Sequence, residues 1–228
     1  MPYFPPAGGG VLLPNSIDNA LLADMIAARI KGRALGAGLG DPTDLTGSQI
    51  AAILNADPAP GTLPLLATLV AANSPQLDFT AFDNTKFGKY IADLSGFKTS
   101  SDNAVMWVRC SANGGASYDA AANYGYQFIY SNVGTVAGQG VWGVNQINIT
   151  VGIGSTFTHC NARIEFMPDL VNALLAVEYK ASHLASGGAF YTVSGNGAYT
   201  AALPNAIRIM PSAGNWVIGT ARIYGVPK

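Results

Sequence analysis

Apolar and polar residues alternate with a period of two from about residue 77 to the end of the chain, and this alternation restricts the fold more than any other feature. The pattern recurs in the segments 104–111, 124–131, 141–153, 161–167, 206–210 and 216–226. Stretches rich in Gly, Asn and Ser, such as SANGGAS (111–117), separate the segments. Because alternate side chains of a strand point to opposite faces, the sequence predicts a mainly β fold, an antiparallel jelly-roll-like β-sandwich over residues 77–228.

The alternation also predicts which side chains face the core. The predicted inward residues are Ala104, Met106, Val108, Cys110, Tyr124, Tyr126, Phe128, Tyr130, Ile147, Ile149, Val151, Ile153, Ala162, Ile164 and Phe166. The residues predicted to oppose them include Gln146, Asn148, Thr150, Arg163 and Glu165, and the indoles of Trp107 and Trp142 also fall on the outward faces. The segment 167–179 is compatible with a short helix after Pro168 or with a turn that enters a strand at 174–180.

Residues 1–76 have a different pattern, which predicts an extended, partly helical segment for attachment and oligomerisation. Ser16 is a suitable helix cap, and apolar residues follow it at helical spacing: Ile17, Leu21, Leu22, Met25, Ile26 and Ile30. Thr46 and Gln49 form a T-x-x-Q capping box before a second short helix. Four prolines between residues 58 and 75 predict a domain boundary within 56–78.

The composition excludes several classes of partner. Only 11% of the residues are charged and the net charge is −1, so the chain lacks the positive field that nucleic acid binding requires. The apolar run at 62–72 is too short to span a bilayer, and the first residues do not have the pattern of a signal peptide, so we expect no membrane insertion. The high apolar content, 49%, suggests that other protein covers part of the surface.

The glycine-rich stretch 30–54 is the first that resembles a nucleotide-binding motif. It contains no Gly-Lys-Ser/Thr triplet, and a G-x-G-x-x-G match that starts at Gly36 and Gly38 ends on Asp41. A helical pattern precedes the glycines where a strand is required. The stretch is therefore expected to be a flexible connector between two short helices.

No catalytic residue, metal site or cofactor is predicted. Cys110 and Cys160 are expected to be buried thiols, with one disulfide left open as the alternative. His159 and His183 lack the spacing of a metal site and are expected to be structural or to lie on the surface. The carboxylates of the β-rich part are Asp83, Asp93, Asp102, Asp119, Glu165, Asp169 and Glu178, and the sequence alone cannot bring two of them together as a glycosidase requires.

The loops 111–124 and 186–199 combine Gly, Ser and Asn with four tyrosines: Tyr118, Tyr124, Tyr191 and Tyr199. A tyrosine can stack on a sugar ring and form a hydrogen bond through its hydroxyl group. These residues are the candidates for binding a glycan or receptor. The alternative is that the loops are solvated turns whose tyrosines pack against the core.

Three segments resemble those of tailed-bacteriophage tail fibres and related virion proteins. In the family a short helix ending in IKGR leads into GxGDPxDLTxxQ, which matches Ile30 to Arg33, Gly38, Gly40 to Pro42, Asp44 to Thr46 and Gln49. The matching region, 19–54, covers about a sixth of the chain. The segments 108–127 and 215–226 are similar to a strand with its GGxxYD loop and to a last strand of the form GTxRIYGV, which close a β-sandwich in phage structural proteins.

The resemblance implies a virion protein, assembled in the host cytoplasm, that docks by its N-terminus and presents the sandwich for contact with the host surface. It implies a homo-oligomer, a trimer in this family, with other virion proteins as partners; a host surface glycan is the candidate ligand of the tyrosine-rich loops. A capsid decoration protein or head fibre is the alternative among structural proteins. A glycan-degrading tailspike enzyme is the alternative from another class, and the length of 228 residues disfavours the long parallel β-helix of such spikes.

Overall fold

A computed structural model of the chain consists mainly of antiparallel β-strands. It describes residues 31–32, 43–46, 48–50 and 63–228. The chain divides into two units, Met1–Ala56 and Asp57–Lys228. The predicted helix over 16–30 lies outside the described residues, and so do its apolar residues Ile17, Leu21, Leu22, Met25, Ile26 and Ile30.

The described residues of the first unit include two short strands and one helical turn. Strands β1 (Lys31–Gly32) and β2 (Thr43–Asp44) pair antiparallel, so the ends of the expected glycine-rich connector form a small sheet. Residues 48–50 are helical. The backbone N–H of Thr46 donates to Oε1 of Gln49 at 2.8 Å, and the N–H of Gln49 donates to Oγ1 of Thr46 at 3.2 Å. This reciprocal pair confirms the predicted capping box.

The second unit is a β-sandwich of two unequal antiparallel sheets. Its strands are β3 (Leu65–Ser74), β4 (Leu77–Phe79), β5 (Phe87–Thr99), β6 (Met106–Ser111), β7 (Tyr124–Asn132), β8 (Thr135–Val144), β9 (Ile147–Asn148), β10 (Cys160–Asp169), β11 (Leu174–Leu184), β12 (Phe190–Tyr199), β13 (Ala206–Pro211) and β14 (Trp216–Pro227). Eight strands form the larger sheet in the order β3-β14-β5-β10-β11-β12-β7-β8, and four form the smaller one in the order β4-β13-β6-β9. The chain crosses repeatedly between the sheets, in agreement with the predicted sandwich.

The core lies between the facing sides of the two sheets. The larger sheet contributes Phe128, Ile164 and Phe166, and the smaller sheet contributes Val108 and Ile209, all of them buried. The alternation in β6, β7 and β10 thus predicted the inward faces correctly, apart from Tyr130, which is only half-buried.

Trp216 packs in this core and contacts residues of both sheets. It is fully buried, its indole N–H donates to the carbonyl of Ile209 at 3.4 Å, and its ring meets that of Phe97 edge to face at 5.0 Å. Both sheets therefore contact this one side chain, because Ile209 belongs to the smaller sheet and Phe97 to the larger.

Two segments needed the structure to decide their conformation. The segment 167–179 forms a turn at residues 170–173 and enters β11 at Leu174, so the second of the two alternatives holds and no helix follows Pro168.

Thr150 is buried, although alternation placed it on the polar side. The regular strand ends with β9 at Asn148, before Thr150. The Thr150 hydroxyl accepts the backbone N–H of Met106 at 2.9 Å. A backbone hydrogen bond thus compensates for the burial of this hydroxyl.

The sandwich begins before the expected boundary at residue 76. Strand β3 (Leu65–Ser74) lies at the edge of the larger sheet and pairs with β14 from Leu65↔Tyr224 to Ser74↔Trp216. Ala71 of this strand belongs to the core. Pro64 and Pro75 thus flank an edge strand of the sandwich, and the boundary between the two units, at Ala56/Asp57, falls within the predicted range 56–78.

We expect a fragment that begins at residue 63 to fold with a β-type circular dichroism spectrum, because it keeps every strand of the sandwich. A fragment that begins at residue 77 lacks β3 and exposes the backbone groups of β14 that pair with it. Its midpoint of thermal unfolding should fall by at least about 5 °C relative to the longer fragment, or it should aggregate. Equal midpoints would show that β3 adds nothing to the stability of the sandwich.

Both cysteines are free and buried, as expected, and burial raises the pKa of the Cys160 thiol to about 12.

Cys160 lies opposite His183 in the β10–β11 pair. His183 is fully buried, its ring stacks on Tyr191 at 5.2 Å, and neither ring nitrogen forms a hydrogen bond with a described residue. The backbone of Gly152 lies near the ring without a well-formed hydrogen bond.

Burial lowers the pKa of His183 from 6.5 to about 4, so the folded protein holds this ring neutral while the unfolded chain takes up a proton. Between pH 6.5 and 4 the unfolded state binds more protons, and the free energy of unfolding should decrease by about 1.4 kcal/mol for each pH unit as the pH falls. His183→Phe should remove this slope and keep the stacking on Tyr191. Urea unfolding of the parent and of His183→Phe at several pH values measures the pH dependence of the free energy of unfolding. The control is His159→Gln, a change at an exposed histidine, which should keep the slope.

Candidate functional site

The structure separates the four tyrosines that were candidates for binding. Tyr124 and Tyr199 are buried, and their rings pack together at 4.8 Å. The Tyr124 hydroxyl donates to the carbonyl of Asp119 and accepts the backbone N–H of Cys110. Neither ring exposes a face on which a ligand could stack, so these two residues correspond to the alternative in which the tyrosines pack against the core.

Tyr118 is half-buried in the loop between β6 and β7. The guanidinium group of Arg208 lies over its ring at 4.0 Å, and Arg208 also forms a two-point ion pair with Asp78 at 2.8 Å. Burial raises the pKa of the Tyr118 hydroxyl to about 12. The ring therefore covers an ion pair, which is a structural role.

Tyr191 lies at the opposite end of β12 from Tyr199. Ten residues of strand span about 30 Å, so the two residues cannot belong to one small binding site. Tyr191 is half-buried and one of its faces is covered by His183. The loops thus do not form a single cluster of exposed aromatic rings.

The acidic residues in turns bind the backbone. Asp119 accepts the N–H of Ala121 at 2.7 Å, and Asp102 accepts the N–H of Ser155 at 2.7 Å. Asp169 accepts the N–H of Val171 at 2.9 Å. In the described part of the chain, no three His, Cys, Asp or Glu side chains come together as a group that could hold a metal ion.

The larger sheet has an outer face, which is the side turned away from the smaller sheet, and this face carries a groove. The groove has a volume of about 780 Å³. Its outward side chains come from four neighbouring strands, namely Arg163 and Glu165 (β10), Glu178 and Lys180 (β11), Ser194 and Asn196 (β12), and Gln127 and Ile129 (β7). A second depression of about 510 Å³ continues it over β12, β7 and β8 and shares Gln127, Gly140 and Asn196 with it.

Strand register explains why these side chains meet. Glu165 lies opposite Glu178, Glu178 opposite Asn196, Asn196 opposite Gln127, and Gln127 opposite Gly140. Directly paired residues point to the same side of a sheet, so this row crosses five strands on the outer face. The row ends in glycine at the edge, where the groove is open.

Trp142 lies in the next row, beside the end of the groove. It pairs with Gly125, which pairs with Ala198, so small residues precede the indole along the row. A Cβ atom added to Gly125 would lie 2.0 Å from Cε3 of Trp142, which means that the ring rests directly on the glycine backbone. The Trp142 residue is nevertheless 68% exposed. One face of the ring is held by the sheet and the other remains open.

Trp107 shows what makes Trp142 different. Both indoles were predicted on outward strand faces, and both lie there. Trp107, on the smaller sheet, is half-buried, and the guanidinium group of Arg109 lies over its ring at 5.9 Å. Trp142 has no such cation over it among the described residues and adjoins a groove, so it is the better candidate for contact with a ligand.

The charged side chains of the groove mostly compensate one another. Glu165 accepts a hydrogen bond from Lys89 at 2.8 Å and one from Arg163 at 3.2 Å, and Arg163 also contacts Asp93 at 3.3 Å. The hydrogen bond from Lys89, together with that from Arg163, holds the pKa of Glu165 below its ordinary value. The groove itself contains two carboxylates, Glu165 and Glu178, and two cations, Arg163 and Lys180, and therefore has no net charge.

Sequence reasoning found part of this site. The outward position of Trp142 and of the Arg163–Glu165 pair followed from alternation. Gln127 and Asn196 were missed, because only the strand order brings β7 and β12 together. Gly125 and Gly140, one on each strand of the β7–β8 hairpin, were the available indication of a close approach.

No protein-family model, curated protein sequence or solved structure matches the chain. The described residues include no helix with the length and apolar character needed to cross a membrane. The function must therefore be argued from the residues and geometry of this chain.

Proposed function

We propose that the protein is a structural component of a tailed-bacteriophage virion, a tail fibre or tail-associated protein. Its N-terminal segment docks to the particle and its β-sandwich makes contact with the host surface. The observation that carries the proposal is the fibre-like segment Ile30–Gln49 followed by an antiparallel sandwich. The segment and the sandwich belong to separate units, which suits a protein that attaches by one part and presents the other.

The capping box gives a physical reason for part of the fibre-like segment. The DLTxxQ element places threonine and glutamine three residues apart, and in this chain Thr46 and Gln49 bond reciprocally at the start of the helix. The Ile50 N–H donates to the Thr46 carbonyl at 3.0 Å, as in a first helical turn. Such a box satisfies backbone donors that a helix start leaves unpaired, so the motif has a structural purpose.

The two edges of the larger sheet support a homo-oligomer. Strands β3 (LLATLVAANS) and β8 (TVAGQGVWGV) are ten residues long and contain no charged residue and no proline. Val70 on β3 is 63% exposed and Val136 on β8 is 71% exposed. Charges and prolines are the usual protection of an exposed strand edge, and sister chains would cover these edges instead.

We expect multi-angle light scattering of the full chain at micromolar concentration to give a mass of three times 23.5 kDa. Val70→Lys on β3 and Val136→Lys on β8 place a charge on each edge and should shift the mass toward that of the monomer. Lys180→Arg, in the middle of the same sheet, is the control and should leave the mass unchanged. A monomer from the unmodified chain would contradict the expected oligomer.

We also expect gold-labelled antibody raised against the chain to mark the tail in electron micrographs of phage particles. Label on the capsid would favour the head fibre or decoration protein, which has the same kind of sandwich and differs in its docking partner. Absence of the protein from purified particles, checked by mass spectrometry, would contradict a virion function altogether.

A glycan-degrading enzyme is the second candidate, and one observation favours it. Glu165 and Glu178 lie directly opposite each other on the open face of the groove. A retaining glycosidase uses two carboxyl groups about 5 Å apart, of which one must be protonated. Glu165, however, is bound by Lys89 and Arg163, which favour its ionised form. Release of oligosaccharides from host polysaccharide, lost in Glu178→Gln, would support the enzyme.

A further inference from the structure

The exposed face of Trp142 is suited to a flat apolar surface. Its ring is supported from beneath by the backbone of Gly125, so it needs no further ordering when a ligand stacks on it. Aromatic faces carry partial negative charge and attract the positively polarised C–H groups of one face of a pyranose ring. A fully apolar partner would gain from the indole but would also bury the polar row beside it.

The polar row next to Trp142 supplies hydrogen-bonding groups for hydroxyls. Gln127, Asn196 and Glu178 lie on adjacent strands, and successive rows of a strand face are about 7 Å apart. Side-chain amides both donate and accept, and a carboxylate accepts, which matches neighbouring hydroxyls of a sugar. No described side chain forms a hydrogen bond with Gln127 or an ion pair with Glu178, so both groups are available.

Charge and size restrict the ligand further. Arg163 and Lys180 balance Glu165 and Glu178, so the groove offers no net attraction to sulfated, phosphorylated or sialylated glycans. The volumes of the groove and its continuation, about 780 and 510 Å³, fall in the range of pockets that hold small ligands. The groove is open at the β8 edge, which allows a chain of sugars to extend beyond it.

We propose that this groove is a binding site for a neutral oligosaccharide. One pyranose ring stacks on Trp142, and Gln127, Asn196 and Glu178 bind its hydroxyls or those of the next sugar. The inference deepens the proposed function by naming the site and the ligand class of the host contact, and it rests on that proposal for the source of the glycan. Edge-to-edge pairing of sister chains lies in the plane of the sheet and leaves the outer face open.

The test uses the full chain on a glycan array that carries neutral α- and β-linked pyranose oligosaccharides together with sulfated and sialylated ones. The expected result is binding to neutral members only. The strongest is then titrated by isothermal titration calorimetry against variants. Trp142→Ala should weaken the affinity by about tenfold or more, and Trp142→Phe by less, because a smaller ring still stacks.

Gly125→Ala provides an independent variant that retains the tryptophan. The added Cβ would lie 2.0 Å from Cε3 of Trp142, so the ring must leave its position, and affinity should fall while β-type circular dichroism persists. Trp107→Ala, on the smaller sheet, is the matched control and should bind like the parent. Three outcomes would overturn the inference. They are unchanged binding in both Trp142→Ala and Gly125→Ala, a preference for anionic glycans, and no binding to any neutral oligosaccharide.

These measurements are separate from those on the particle. Glycan binding without label on the virion would contradict the proposed virion function and leave the site standing. Label on the tail without neutral glycan binding would contradict the site alone. A cross-link between Trp142 and a sister chain in the oligomer would also contradict the proposed glycan site, because another copy would then occupy the outer face.

Discussion

The unequal width of the two sheets is the constraint on which the other features of the sandwich depend. Strands lie about 4.8 Å apart, so eight strands span about 34 Å and four span about 14 Å. The smaller sheet can bury only the part of the larger one that it faces. The core therefore concentrates there, and the edge strand β8 is exposed along almost its whole length. The groove and Trp142 lie on the outer face of the larger sheet toward this uncovered edge.

Much of the sandwich could be predicted because burial on one face imposes a period of two on the sequence. In β10, Ile164 is buried and Arg163 is exposed, as the pattern requires. The prediction failed where the chain leaves regular strand geometry, since Thr150 is buried by one backbone hydrogen bond that alternation cannot indicate. It also placed the start of the sandwich too late, because β3 has a continuous apolar run rather than a clear alternation.

The candidate site was less predictable because it is built across strands. Trp142 and Gly125 are joined by a bulged pairing, in which the register shifts after Tyr124. Periodicity states which side of a strand a residue faces, but only strand order and register state which residues are its neighbours. The tyrosine-rich loops illustrate the converse. They have the composition of a binding loop, yet Tyr124 and Tyr199 are buried by the strands that they begin and end.

The chemistry of the outer face follows from how the sheet accommodates its charges. Glu165 and Glu178 repel each other across β10 and β11, and like charges directly opposite are unfavourable in a sheet. Lys89 and Arg163 offset this by binding Glu165, which leaves Glu178 as the carboxylate that is free to accept hydrogen bonds from outside. Because these residues lie on strands rather than loops, their positions are set by the ladder of backbone hydrogen bonds. A network that stabilises the middle of the sheet thus also orients the polar groups beside Trp142, and a ligand would meet a surface that is already ordered.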